Sequence, residues 1–166
     1  AMKSVNAQVL EQARSAAKAG RTEEAVGLYR QLFDGQPIRG PLALEYYQTL
    51  GGLSNAWDDA RKGLETLATG EPNNARANLA YAQHLTYRAS TRREGINRLA
   101  QLARQSSVSV AAIESWRKAL TWLEASKADT PLFQAFLSVK PGDAAIQARI
   151  ASLNQVAPPK PLDPQI

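Results

Sequence analysis

The strongest constraint in this sequence is that it repeats itself. The segment Gly20 to Pro37, GRTEEAVGLYRQLFDGQP, returns in outline 35 residues later and, more faintly, after a second such interval. Ala25 corresponds to Ala60 and Gly95, Glu24 to Asp59 and Glu94, Tyr29 to Leu64 and Leu99, and Leu32 to Leu67 and Leu102. The turn residue Gly20 corresponds to Asn55 and Ser90, and Pro37 to Pro72. A unit of this length cannot bury an apolar face alone, so a chain built this way gains stability by stacking successive units.

Within each unit, apolar residues recur at helical intervals on either side of the turn position, which predicts two amphipathic helices per unit. The preceding helix carries Val9, Leu44 and Leu79 at equivalent places. The small residue of the following helix (Ala25, Ala60, Gly95) lets two helices approach closely, while Tyr29, Leu32 and their counterparts fill the groove beside it. Proline at 37 and 72 is expected to end each second helix. The fourth unit is degenerate. Ser109 to Ala125 reads as a helix with Ile113, Trp116, Leu120 and Leu123 on one stripe. Thr130-Pro131 reads as an N-cap and first helical residue for a short helix through Leu132, Phe133, Phe136 and Leu137 that stops at Pro141-Gly142. Asp143 is expected to cap a last helix carrying Ala145, Ile146, Ile150 and Leu153. The fold class is therefore all-α: a solenoid of about nine antiparallel helices, with a repeat domain over 3–156. Its units run over about 6–40, 41–75, 76–108 and 109–142, followed by a final helix at 143–155.

Composition narrows the chemistry. With no cysteine, disulfides, thiolate zinc sites and cysteine nucleophiles are excluded. No run approaches the roughly 18 apolar residues of a membrane helix, and no basic start followed by an apolar stretch marks a signal peptide. Ala1 and Met2 read as an expression scar and residues 157–166 as a proline-rich linker or tail, so the chain reads as a piece of something longer. Between Pro72 and Ile113 six arginines face a single acid, Glu94. Catalysis has little support. The one histidine, His84, stands mid-helix without a glycine-rich loop or carboxylate at helical spacing, and the acidic pairs Glu23-Glu24 and Asp58-Asp59 open second helices, where carboxylates favour the positive end of the helix dipole. No cofactor and no metal site is expected, since ligands are not clustered. Nucleic acid is not an expected partner, because aromatic interleaving and a groove-fitting motif are absent.

The pattern Gly20-x-x-x-Glu24-Ala25-Val26-x-x-Tyr29-x-x-Leu32-Phe33-x-x-x-Pro37 resembles the tetratricopeptide (TPR) signature, at 35-residue spacing instead of the common 34, and that resemblance implies a right-handed superhelical, TPR-like solenoid. A narrower resemblance covers about Gln12 to Leu153. The run Glu23 to Gly35, then Leu42-Ala43-Leu44-Glu45-Tyr46-Tyr47-Gln48-Thr49-Leu50, Asn78-Leu79-Ala80, Thr91-Arg92-Arg93-Glu94-Gly95, Trp116 and Phe133-x-x-Phe136-Leu137 is similar to the amino-terminal repeats of the bacterial cellulose synthase C-subunit family. That resemblance implies a periplasmic, non-enzymatic scaffold of a cellulose synthesis and export complex, whose parent protein continues into an outer-membrane β-barrel. The implied partners are other cellulose synthase subunits, with the periplasmic endoglucanase, peptidoglycan and the cellulose chain as further candidates. The competing reading is a peptide-binding TPR adaptor of another bacterial envelope or secretion assembly.

In a TPR stack the first helices line the concave face. Placing Leu79, Ala82 and Leu85 in the core turns Ala80, His84, Tyr87 and Arg88 toward that groove, and His84, Tyr87 and Arg88 are the candidate contacts for a glycan or peptide. Arg92 and Arg93, beside Arg88 at one turn, form a candidate basic patch suited to an acidic protein surface. Trp57 and Trp116 are expected in the core, and Trp122, nearly opposite Trp116 on its helix, is expected at the surface.

Overall fold

The computed structural model describes residues 4–155; the expected scar and the proline-rich tail lie outside the described residues. Nine α-helices follow one another among them: α1 (Val5–Lys18), α2 (Thr22–Phe33), α3 (Pro41–Leu50), α4 (Trp57–Gly70), α5 (Ala75–Leu85), α6 (Ala89–Leu102), α7 (Ser109–Trp122), α8 (Thr130–Val139) and α9 (Ala144–Asn154). Short 3₁₀ turns at Ser54–Ala56 and Lys127–Asp129 lead into α4 and α8. No strand interrupts the described residues, and the architecture is the all-α solenoid that the repeat requires.

Local chemistry sets most helix ends. Ser4, Asn74 and Asp143 each accept a hydrogen bond from the backbone N–H three residues on, capping α1, α5 and α9. Glu23-Glu24 and Asp58-Asp59 occupy the first turns of α2 and α4, where the helix dipole favours them. The α1–α2 turn needs a left-handed residue, and Gly20 supplies it at φ 80°. Four expectations shift. Ser90, the counterpart of Gly20, lies inside α6, and Asn55 lies in a 3₁₀ turn. Pro37 does not stop α2: the left-handed Asp34 (φ 48°) does so first, whereas Glu71, non-helical (φ −130°, ψ 74°) ahead of Pro72, does end α4. At α8 the cap is Asp129, with Thr130 already helical, and α7 ends at Trp122, with Leu123 extended but still buried.

The core runs along the stack in three segments. Val26, Tyr29, Tyr46, Leu50 and Ala60 join the first two hairpins. Leu64, Ala68, Ala80, Tyr81 and Leu85 join α4 to α5. Ile96, Leu99, Trp116, Leu120, Phe133, Phe136 and Ile146 close the far end. Each large side chain buried this way stabilises the fold by about 1.5–3 kcal/mol. The small positions of the repeat work as expected: Ala25 and Ala60 are fully buried, and a Cβ on Gly95 would lie 2.7 Å from Thr86 Cγ2 and 2.8 Å from the Ala82 carbonyl oxygen. Gly63 makes the same kind of room for the Tyr47 ring.

Candidate functional site

The predicted site residues all stand at or near the α5–α6 turn, and the structure separates them. α5 is hemmed in by α3, α4 and α6, so it is buried on more than one side: Ala77, Ala80, Tyr81, Ala82, His84 and Leu85 are all buried. Leu79, assigned to the core, is only half-buried. Ala80 and His84 therefore do not face a groove. His84 is 2% exposed, its Nε2–H donating to the Trp57 carbonyl oxygen at 2.9 Å and its ring stacked on the Trp57 indole at 4.8 Å between centroids. A carbonyl only accepts, which fixes the proton on Nε2. Burial lowers the imidazole's pKa from its ordinary value, with Arg88 and Arg61 nearby acting the same way. Nδ1 lies where Gly51 leaves space, since a Cβ there would stand 2.8 Å from it. His84 is a neutral core histidine joining α5 to α4.

Tyr87 and Arg88 do reach solvent. Tyr87 is 52% exposed, Trp122 is 45% exposed, and their rings lie 6.3 Å apart at a tilt of 53°. His84 meets Tyr87 edge-on at 5.9 Å, so four aromatic rings (Trp57, His84, Tyr87, Trp122) run from the interior to the surface across three successive hairpins. Arg88 lies over the Trp57 ring at 4.4 Å and donates weakly to the Ser54 carbonyl oxygen at 3.4 Å. Beside these residues opens a cleft of about 440 Å³ lined by Gln48, Gly51, Gly52, Ser54, Trp57, Tyr87 and Arg88. Trp57 and Trp116 are 6% and 2% exposed, so both occupy the core, as expected.

The two arginines of the expected basic patch are engaged within the chain. Arg92 donates to the carbonyl oxygens of Thr86 (2.8 Å) and Trp122 (3.0 Å), satisfying acceptors at the ends of α5 and α7. Arg93 forks onto the Asp129 carboxylate at 2.9 and 3.0 Å. Asp129, 7% exposed, also accepts from the Ser126 backbone N–H, and the Arg93 guanidinium foremost holds its carboxyl down at about 2. Similar polar contacts recur along the stack. Arg14 forks onto Glu45 at 2.8 Å while Tyr29 Oη–H donates to the same carboxylate, tying α1 and α2 to α3. Gln83 donates to Ser115 across α5 and α7. Arg117 forks onto Asp143, and Arg149 donates to the Leu123 carbonyl oxygen, fastening α9. Sequence reading missed these contacts, although many partners lie about one repeat apart, the signal that could have found them.

Among the described residues, no group of three or more His, Asp or Glu side chains stands close enough to hold a metal ion, and no helix is long and apolar enough to cross a membrane.

Comparison with known proteins converges on one group. No family model matches the chain. Cellulose synthase operon protein C of Xanthomonas axonopodis pv. citri is 48% identical over 144 residues, 87% of this chain and 10% of that protein. The protein of the same name from Pseudomonas fluorescens is 43% identical over 145 residues, covering 86% of this chain and 11% of the relative. The chain thus spans about a tenth of the length of these relatives. The crystal structure of the flexible tandem repeat domain of the bacterial cellulose synthase C subunit superposes with a TM-score of 0.66 at 29% identity, covering 94% of this chain and 65% of that one. By sequence over most of its length and by fold, the chain is a helical tandem-repeat segment of the cellulose synthase C-subunit family.

Proposed function

We propose that this segment is a periplasmic, non-catalytic scaffold in a bacterial cellulose synthesis and export complex, spacing the inner-membrane synthase from an outer-membrane pore. On this reading it contacts sibling subunits, and its parent protein continues into the β-barrel that forms the pore. The observation that carries the reading is the series of fastened junctions: Arg14–Glu45, His84 to the Trp57 carbonyl, Arg93–Asp129 and Arg117–Asp143 each tie one hairpin to the next or to the last helix. A spacer must hold separation and orientation, and contacts between neighbouring units supply that in a stack that is otherwise one-dimensional. Peptidoglycan and the glucan remain partners of the same scaffold, which guides the polymer toward the pore.

A peptide-binding role is favoured by a different feature, an open groove of about 1200 Å³ along α1 and α2 lined by Gln8, Gln12, Arg14, Lys18, Arg21 and Glu24 among others. Its mixed charge suits a polar protein tail, and within the scaffold reading it is the natural docking place for a sibling subunit.

Deletion of the segment coding for 4–155 in a cellulose-producing strain tests the proposal. Secreted cellulose should fall to background while inner-membrane fractions still polymerise glucose from its nucleotide sugar. Undiminished secretion would overturn it.

A further inference from the structure

We infer that Tyr87 and Trp122, with the cleft beside Tyr87, form a binding shelf for a neutral β-linked glucan. This deepens the scaffold reading and rests on it for the identity of the polymer. Tyr87 comes from the α5–α6 turn and Trp122 from the end of α7, so the shelf lies along the edge where the helices of successive hairpins are joined. The two rings, 6.3 Å apart and tilted by 53°, are the exposed end of the aromatic series that begins at buried Trp57. That series holds Tyr87 from behind through His84, and Arg92, bound to the Trp122 carbonyl, holds the end of α7. The shelf is thus built on fixed elements, which lowers the ordering cost of binding.

The lining selects the ligand's charge. The cleft offers the Gln48 amide and the Ser54 hydroxyl, groups that pair with sugar hydroxyls, and no carboxylate lines it. Its one cation, Arg88, faces the Trp57 indole, and Arg92 nearby is spent on two backbone carbonyls. An anionic ligand would meet a single cation in a lining that is otherwise neutral, whereas a pyranose presents an apolar C–H face to the rings and hydroxyls to the amide, hydroxyl and guanidinium.

Titration of the ¹⁵N-labelled full chain with cellohexaose tests the shelf. The expected result is saturable binding that shifts the Trp122 indole N–H signal ahead of those of Trp57 and Trp116. Tyr87→Ala/Trp122→Ala should weaken it about ten-fold or more, each ring contributing a few-fold, with helicity unchanged because both side chains are surface groups. Tyr87→Phe/Trp122→Phe should keep affinity within about three-fold, which separates loss of the aromatic face from misfolding. No saturation, undiminished binding by the alanine pair, or tighter binding of an oligogalacturonate than of cellohexaose would each overturn the proposal. Loss of secretion on deletion without cellohexaose binding leaves the scaffold reading standing and removes the shelf. Binding without any effect of deletion does the reverse.

Discussion

Replacing Asp129 by Asn keeps the side chain's shape and its acceptor for the Ser126 N–H but removes the charge that Arg93 grips. The carboxyl is held at about 2 against an ordinary 3.8, which corresponds to about 2 kcal/mol of preferential stabilisation of the charged form in the folded chain. The Arg93 side chain is 51% exposed, so water and salt screen the pair, and about 1–2 kcal/mol is the expected loss at neutral pH. For a chain of this size that lowers the melting temperature by a few degrees, roughly 2–4 °C per kcal/mol. The pH dependence gives the sharper result. A carboxyl with a lowered folded value contributes fully above its unfolded value near 4 and loses that contribution as pH falls through about 2. Thermal melts of wild type and Asp129→Asn, followed by circular dichroism from pH 7 to 2, should therefore differ most at pH 5–7 and converge toward pH 2. Equal stability at pH 7, or a gap that persists unchanged to pH 2, would refute the account of Asp129 as a charge-dependent fastening.

Two further outcomes follow from His84 and one from the first junction. Burial lowers the imidazole's pKa below its ordinary 6.5, so the folded chain resists a proton that the unfolded chain accepts. Stability should fall as pH drops below about 6.5, and His84→Leu should lack that dependence when melts at pH 7.5 and 5.5 are compared. Gly51→Ala, at helical φ −61°, places a methyl carbon 2.8 Å from His84 Nδ1; denaturant unfolding should show a loss of about 1–3 kcal/mol, and unchanged stability would mean that the ring has room to move. Arg14→Gln should leave Glu45 without its strongest partner, raise that carboxyl from its lowered value, and increase amide exchange in α1 more than in α5.

The helices were legible because core-facing residues recur at the helical period, and the repeat placed Ala25, Ala60 and Gly95 in close-approach positions without reference to tertiary structure. Trp116 and Trp122 were also sorted by helical phase into core and surface, and Trp57 was placed in the core by its position in the repeat. His84 and Ala80 were not, because phase analysis grants each helix one buried face and α5 is covered from several sides. Arg92 and Arg93 read as a patch since sequence displays the clustering of charge but not the register between hairpins. It is that register which brings the Thr86 and Trp122 carbonyls and the Asp129 carboxylate within reach. The ends of α2 and α8 moved for local reasons: a left-handed Asp34 acts before Pro37, and the 3₁₀ turn at Lys127–Asp129 runs straight into α8, so that Thr130 is already helical.

The junctions are made of different materials, and their stiffness should differ accordingly. The hold of Arg14 on Glu45 lies at the surface, with side chains 55% and 33% exposed, so dissolved salt weakens it. The stack of His84 on Trp57 is buried and carries no charge, so ions leave it intact. As ionic strength rises, the ion-paired junctions at Arg14–Glu45, Arg93–Asp129 and Arg117–Asp143 should loosen while the uncharged one between the second and third hairpins holds, giving a stack whose compliance differs from joint to joint and is set by the surrounding electrolyte.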